Sequence, residues 1–183
     1  MSPDRNLQRS QQLGTESPHS PSLRGWPKAG GVKTNRKIMN LNDEYFMRIA
    51  LNEAEDAYAE NEIPVGAVVV LDDKIIAKGH NLTETLKDVT AHAEMMALTS
   101  AANALGAKYL QDCTLYVSLE PGLMCAGAIA HAQVKTLVFG ASDPKRGYSV
   151  YTDGKFPSKA EIRQGVLADE CSQLLKRFFA ERR

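Results

Sequence analysis

Two short stretches hold the residue types that do chemistry. "TAHAE" places His92 and Glu94 one residue apart, and "EPGLMC" ends on Cys125. An imidazole nitrogen and a thiolate sulfur are zinc donors, and a carboxylate beside them can carry protons for a reacting group. Each stretch opens a helix, whose N-terminus favours thiolate, hydroxide and carboxylate. On a regular helix His92 and Glu94 lie about 200° apart, at about 100° per residue, so one metal would not readily take both. That spacing predicts Glu94 as a proton carrier and not a ligand. The second stretch is short of a donor, because Gly122 stands where a further thiolate is expected. Taken singly, His92 also suits a helix cap and Cys125 a small buried hydrophobe. Residue types and spacing alone leave both readings open.

The elements that must position these residues follow from hydrophobic periodicity. Phe46, Met47, Ala50, Leu51, Ala54 and Ala57 recur at helical steps, with Asn42 or Asp43 as the N-cap. "IPVGAVVVL", Asp72-Asp73 and "KIIAKG" read as a hairpin of buried strands. A helix starts near His92, a strand follows at "TLYVSL", a short helix at "CAGAIAHA" and a strand at "KTLVFG". The closing "GVLADECSQLLKRFFAERR" shows a stripe of Val166, Leu167, Cys171, Leu174, Leu175, Phe178 and Phe179. The order α-β-β-α-β-α-β-loop-α implies an α/β fold, a three-layer α/β/α sandwich around a mixed sheet.

Bulk properties bound the rest. The chain of 183 residues suits one domain with a full core. Residues 1–38 have no apolar period and are rich in Ser, Pro, Gly, Gln and Arg, which predicts a disordered N-terminal extension ahead of a domain over 39–183. The first 40 residues carry a net +5 and the remainder −5, so overall charge does not argue for nucleic-acid binding. Three irregularly spaced cysteines argue against a disulfide framework and for a reducing compartment. No apolar run approaches the ~20 residues of a membrane span, and no signal-peptide core is seen, which predicts a cytoplasmic protein without membrane attachment.

From about Asn40 to Arg183 the chain resembles the cytidine and deoxycytidylate deaminase superfamily, and within it the bacterial tRNA-specific adenosine deaminases. The resemblance lies in "IPVGAVVV", "TAHAEMMAL", "TLYVSLEP", "MCAGAIAHA", "VFGASDPKRG" and "GVLADECSQLLKRFF", in order and spacing. It implies a cytidine deaminase-like fold with a five-stranded mixed sheet and one zinc ion per subunit, held by His92 and Cys125, with Glu94 as the catalytic proton shuttle. Gly122 occupies the third ligand position, and Val89 stands where the family usually has proline. Asn81 matches a residue that hydrogen-bonds the flipped nucleotide, the Gly66-Ala67 backbone matches the pocket wall, and Asp143 matches a loop near the substrate. The implied reaction is hydrolytic deamination of adenosine to inosine at the wobble position of the anticodon, as zinc deaminases of this class act on extruded bases.

The partners implied are a tRNA anticodon stem-loop and a second copy of the chain in a homodimer. Lys145, Arg146, Lys176 and Arg177 become phosphate contacts under that resemblance, although without it a solvated helix face explains the last two. Two other classes stay open: a catalytically silent deaminase-fold protein that binds RNA or a partner, and a deaminase of a free base or nucleotide such as guanine or cytosine.

Overall fold

The computed structural model describes residues 43–182. The expected extension over 1–38, the start of the domain at residue 39 and the alternative cap Asn42 lie outside the described residues. Helix α1 (Asp43–Ala59) keeps its apolar spacing and buries Phe46, Met47, Ala50, Ala54 and Ala57. Strands β1 (Gly66–Leu71) and β2 (Lys74–His80) form the expected hairpin. Its turn residues Asp72 and Asp73 have φ of 49° and 58°, the left-handed pair that a two-residue hairpin turn needs and aspartate tolerates. Then come α2 (Thr83–Leu86), α3 (Ala93–Leu105), β3 (Thr114–Leu119), α4 (Leu123–His131), β4 (Thr136–Ala141), α5 (Tyr148–Tyr151), β5 (Glu161–Gln164) and α6 (Ala168–Ala180).

The sheet runs β2-β1-β3-β4-β5. β1 is antiparallel to β2 and β3, while β3, β4 and β5 are parallel, so the five-stranded sheet is mixed as expected. Alternation along the strands divides the core. Val68, Val70, Tyr116 and Val138 pack with Phe46, Met47 and Ala50 of α1 and Cys171 of α6. Ala67, Val69, Leu115, Val117, Leu137 and Phe139 pack on the other face with Ala93 and Ala97 of α3 and Ala126 and Ile129 of α4. Each fully buried large apolar side chain contributes about 1.5–3 kcal/mol, which makes the sheet a stiff platform for residues at its strand ends.

The order read from periodicity lacks the short helices α2 and α5, and three further details differ. The strand Glu161–Gln164 escaped it, because an edge strand with only Ile162 half-buried carries no apolar alternation. Helix α6 begins at Ala168, after Val166 and Leu167, since Leu167 takes a left-handed φ of 53°. Its buried stripe is Cys171, Leu174 and Phe178, and Phe179 faces outward. Among the described residues no helix is long and apolar enough to cross a membrane.

Candidate active site

Sheet register gathers the predicted residues at one end. Gly66 pairs with His80, Ala67 with Val117 and Leu119 with Ala141. The start of β1, the end of β2 and the ends of β3 and β4 therefore share an edge, where ligands of α/β sheets collect. Asn81 follows β2, Gly122 follows β3 and Asp143 follows β4. α1 crosses close over Gly66, for a Cβ there would lie 2.1 Å from the Ala50 carbonyl oxygen. Its N–H donates to the buried Ser118 Oγ at 3.1 Å.

His92 is the N-cap of α3, extended at φ −74° and ψ 155°, and not part of the helix. The 200° separation from Glu94 expected for a regular helix is thereby corrected. The extended cap swings the imidazole back, and His92, Glu94 and Cys125 each offer a ligand atom within 4.8 Å of the others. Glu94 and Cys125 are buried, and His92 is half-buried. Burial pushes the Glu94 carboxyl up, against its own backbone N–H, His92 and the Cys125 thiol, which hold it down. Burial, followed by the charge of Glu94, pushes the Cys125 thiol up as well. A divalent cation beside them reverses that preference by favouring thiolate and carboxylate.

The donors can be tested against zinc by distance. His92 Nδ1 and Cys125 Sγ lie 3.5 Å apart. Two such donors on one tetrahedral zinc, at bond lengths of about 2.1 and 2.3 Å, sit about 3.6 Å apart. The pair fits the ion in donor type and spacing. Gly122 adds no donor, although its backbone is ordinary, with φ −71° and ψ 174° as the extended N-cap of α4. A Cβ built there would meet only the Arg146 carbonyl oxygen, at 3.5 Å. Neither φ nor space requires glycine here.

Two buried carboxylates that periodicity did not mark hold the loops around the cluster. Glu120, just past β3, accepts the backbone N–H of Asp143 at 3.0 Å and of Ser149 at 3.1 Å. The Asp143 side chain accepts the N–H groups of Lys145 and Arg146, both at 3.0 Å, so it caps its own turn. A bridge between Gly122 and Gly147 and the Tyr148 N–H to Pro121 carbonyl bond, 2.8 Å, lay this loop against the α4 junction. Glu62, between α1 and β1, accepts from Asn81, Thr83, Glu84 and Thr85. An acidic residue beside a strongly apolar strand was the only hint of either role in the sequence.

A cleft of about 410 Å³ adjoins His92, lined also by Thr83, Glu84, Lys87 and Val89. Lys145 and Arg146 are exposed on the loop beside Gly122. Lys176 and Arg177 are not brought to the cluster, since α6 packs on the sheet face opposite α3 and α4. Arg177 already lies over the Tyr58 ring, 4.7 Å from its centroid, tying α6 to α1.

Comparison with known proteins adds to this geometry. The cytidine and deoxycytidylate deaminase zinc-binding region matches residues 40–141. A tRNA-specific adenosine deaminase of Haemophilus influenzae is 48% identical over 153 residues, 80% of this chain and 88% of that protein. One of Bacillus subtilis is 45% identical over 146 residues, 77% and 91% of the two chains. A solved structure from studies of A-to-I editing by tRNA:A34 deaminases at the wobble position of transfer RNA is 40% identical, with a TM-score of 0.67 over 72% of this chain and 99% of that one.

Proposed function

The chain belongs to the cytidine and deoxycytidylate deaminase family, and on that premise we propose that it is a tRNA adenosine deaminase, converting adenosine to inosine at the wobble position of the anticodon. The observation that carries this reading is the meeting of His92, Glu94 and Cys125 at two helix N-termini beside a cleft.

His92 and Cys125 would hold zinc. When bound there, zinc supplies the Lewis acidity that lets water lose a proton near neutral pH. Glu94 takes one proton from water and passes it to N1 of the adenine ring, then carries the proton of the oxygen added at C6 to the amine, so that the C6–N bond breaks, ammonia leaves and inosine results. Burial favours the protonated form of Glu94, which suits a group that must hold a proton between two transfers. The base must be out of its stack to arrive, which an anticodon loop permits. Asn81 contacts the extruded nucleotide, the Gly66-Ala67 backbone backs its pocket, and the Asp143 loop lies near it. Lys145 and Arg146 are the phosphate contacts nearest the cluster, and Lys176 and Arg177 meet only RNA that extends past the α6 face. The acting unit is a cytoplasmic homodimer. Exposed Leu123 and Met124 of α4 and Val150 and Tyr151 of α5 supply an apolar surface for a second copy.

The test combines metal analysis with an inosine assay on tRNA and on free adenine, guanine and cytosine, at saturating zinc. Inosine confined to the wobble position is the expected result. Tight tRNA binding without inosine would favour a silent RNA-binding protein, and turnover of a free base would favour a small-molecule deaminase.

A further inference from the structure

Glu62 is fully buried, yet it lies in neither the metal cluster nor the cleft lining. Its Oε1 accepts the backbone N–H groups of Glu84 at 2.9 Å and Thr85 at 2.7 Å. These are orphan donors at the start of α2, whose N-cap Leu82 makes no side-chain cap. Its Oε2 accepts from Asn81 Nδ2 at 3.1 Å and from the Thr83 hydroxyl at 3.2 Å. Burial alone raises the Glu62 carboxyl, but the Thr85 and Glu84 N–H groups and the hydroxyls of Thr85 and Thr83 bring it net below its ordinary value. It is therefore an anion, and it can only accept.

That acceptor determines which way the Asn81 amide points. A carboxylate oxygen cannot face the amide oxygen, so Nδ2 must turn inward, where it also donates to Thr83 Oγ1 at 3.1 Å. Both amide protons are consumed. Among the described residues every buried side-chain nitrogen or oxygen has a partner. Among the described residues no hydrogen bond reaches Asn81 Oδ1, so it is an atom left open beside the cleft. Asn81 adjoins the active site, because the Leu82 N–H donates to the Ala91 carbonyl at 2.9 Å, and Thr83 and His92 line one cleft.

We propose that Glu62 is a positioning residue that locks the Asn81 amide, so that the pocket offers its nucleotide a hydrogen-bond acceptor and selects a donor on the substrate. This rests on the reading of Asn81 as a substrate contact. Within an RNA chain an adenosine has two such donors, the ribose 2′-hydroxyl and the exocyclic amine, and one of them meets Asn81 Oδ1.

The variant Glu62→Gln inverts the arrangement. Glutamine has one acceptor oxygen, and the backbone N–H groups at 84 and 85 cannot turn away from it. Its amide nitrogen then faces Asn81, which flips and presents N–H outward. The experiment measures the Kd of the full chain for an anticodon stem-loop RNA carrying adenosine, 2′-fluoroadenosine or purine riboside at the target position. The unaltered protein should bind one donor-lacking RNA about tenfold more weakly than the parent, the size of one such hydrogen bond. Glu62→Gln should erase that preference, and adding Asn81→Ala to it should change nothing further. A preference that survives Glu62→Gln but vanishes in Asn81→Ala overturns the proposal and leaves the Asn81 contact standing. A preference that survives Asn81→Ala, or is lacking in the unaltered protein, removes the contact itself. Should Glu62→Gln not fold, hydrogen exchange of the Asn81 side-chain amide in the unaltered protein takes its place. Protection of both protons by about tenfold or more supports the lock, and exchange at the free-amide rate overturns it.

Discussion

At the start of α3 the N-cap is His92, extended at φ −74° and ψ 155°, and at the start of α4 it is Gly122, extended at φ −71° and ψ 174°. Neither makes a side-chain cap hydrogen bond. Each is followed within three residues by a buried side chain of the cluster, Glu94 in one case and Cys125 in the other. The two junctions differ in that His92 reaches the cluster with an imidazole while Gly122 has nothing to extend. The backbone of the poorer junction keeps its pose because Glu120, the Gly122–Gly147 bridge and the Pro121–Tyr148 bond hold it. Loss of a ligand side chain is thus separable from loss of fold.

The comparison is most severely tested at the complete junction. Glu94→Gln keeps the shape and removes the proton carrier, so deamination of tRNA should fall by about 10²–10⁴-fold. Zinc content measured on the same samples should not change. If the metal leaves with the carboxylate, Glu94 is a ligand and the junctions divide their labour differently.

The next effect is expected at the poorer junction. Gly122→Cys restores a thiolate where a side chain has room, and should tighten zinc by about a hundredfold, on the order of 3 kcal/mol. Chelator competition measures the affinity, and an inosine assay should show activity rising with it. If the glycine chain already competes as well as the cysteine variant, another donor has taken the place and the junctions are equivalent after all.

The smallest effects separate fold from ligand. At Gly147 an added Cβ would fall 2.3 Å from Glu120 Cδ, so Gly147→Ala should cost about 1–3 kcal/mol in urea unfolding through overpacking. Gly122→Ala meets only ordinary contact and should stay within about 0.5 kcal/mol of the parent. Equal losses at the two glycines would show that Gly122 is structural.

Much of this protein is determined by local sequence. The periods of α1 and of the buried strands, the Asp72-Asp73 turn and the donor types of His92, Glu94 and Cys125 can all be read directly, because burial of one face imposes a repeat that neighbours in the chain carry. Other features depend on partners far away in sequence. That His92 is an extended cap, and so shares a cluster with Glu94, goes with a loop before α3 that is tied back by the Leu82 N–H to Ala91 carbonyl bond. That Glu161–Gln164 is a strand follows from the hydrogen bonds β4 offers it, not from its own polar side chains. That Glu62 is buried and ionised follows from donors 19 to 23 residues onward. A buried charge leaves no period in a sequence; only the folded chain brings together the N–H and O–H groups that make its burial tolerable.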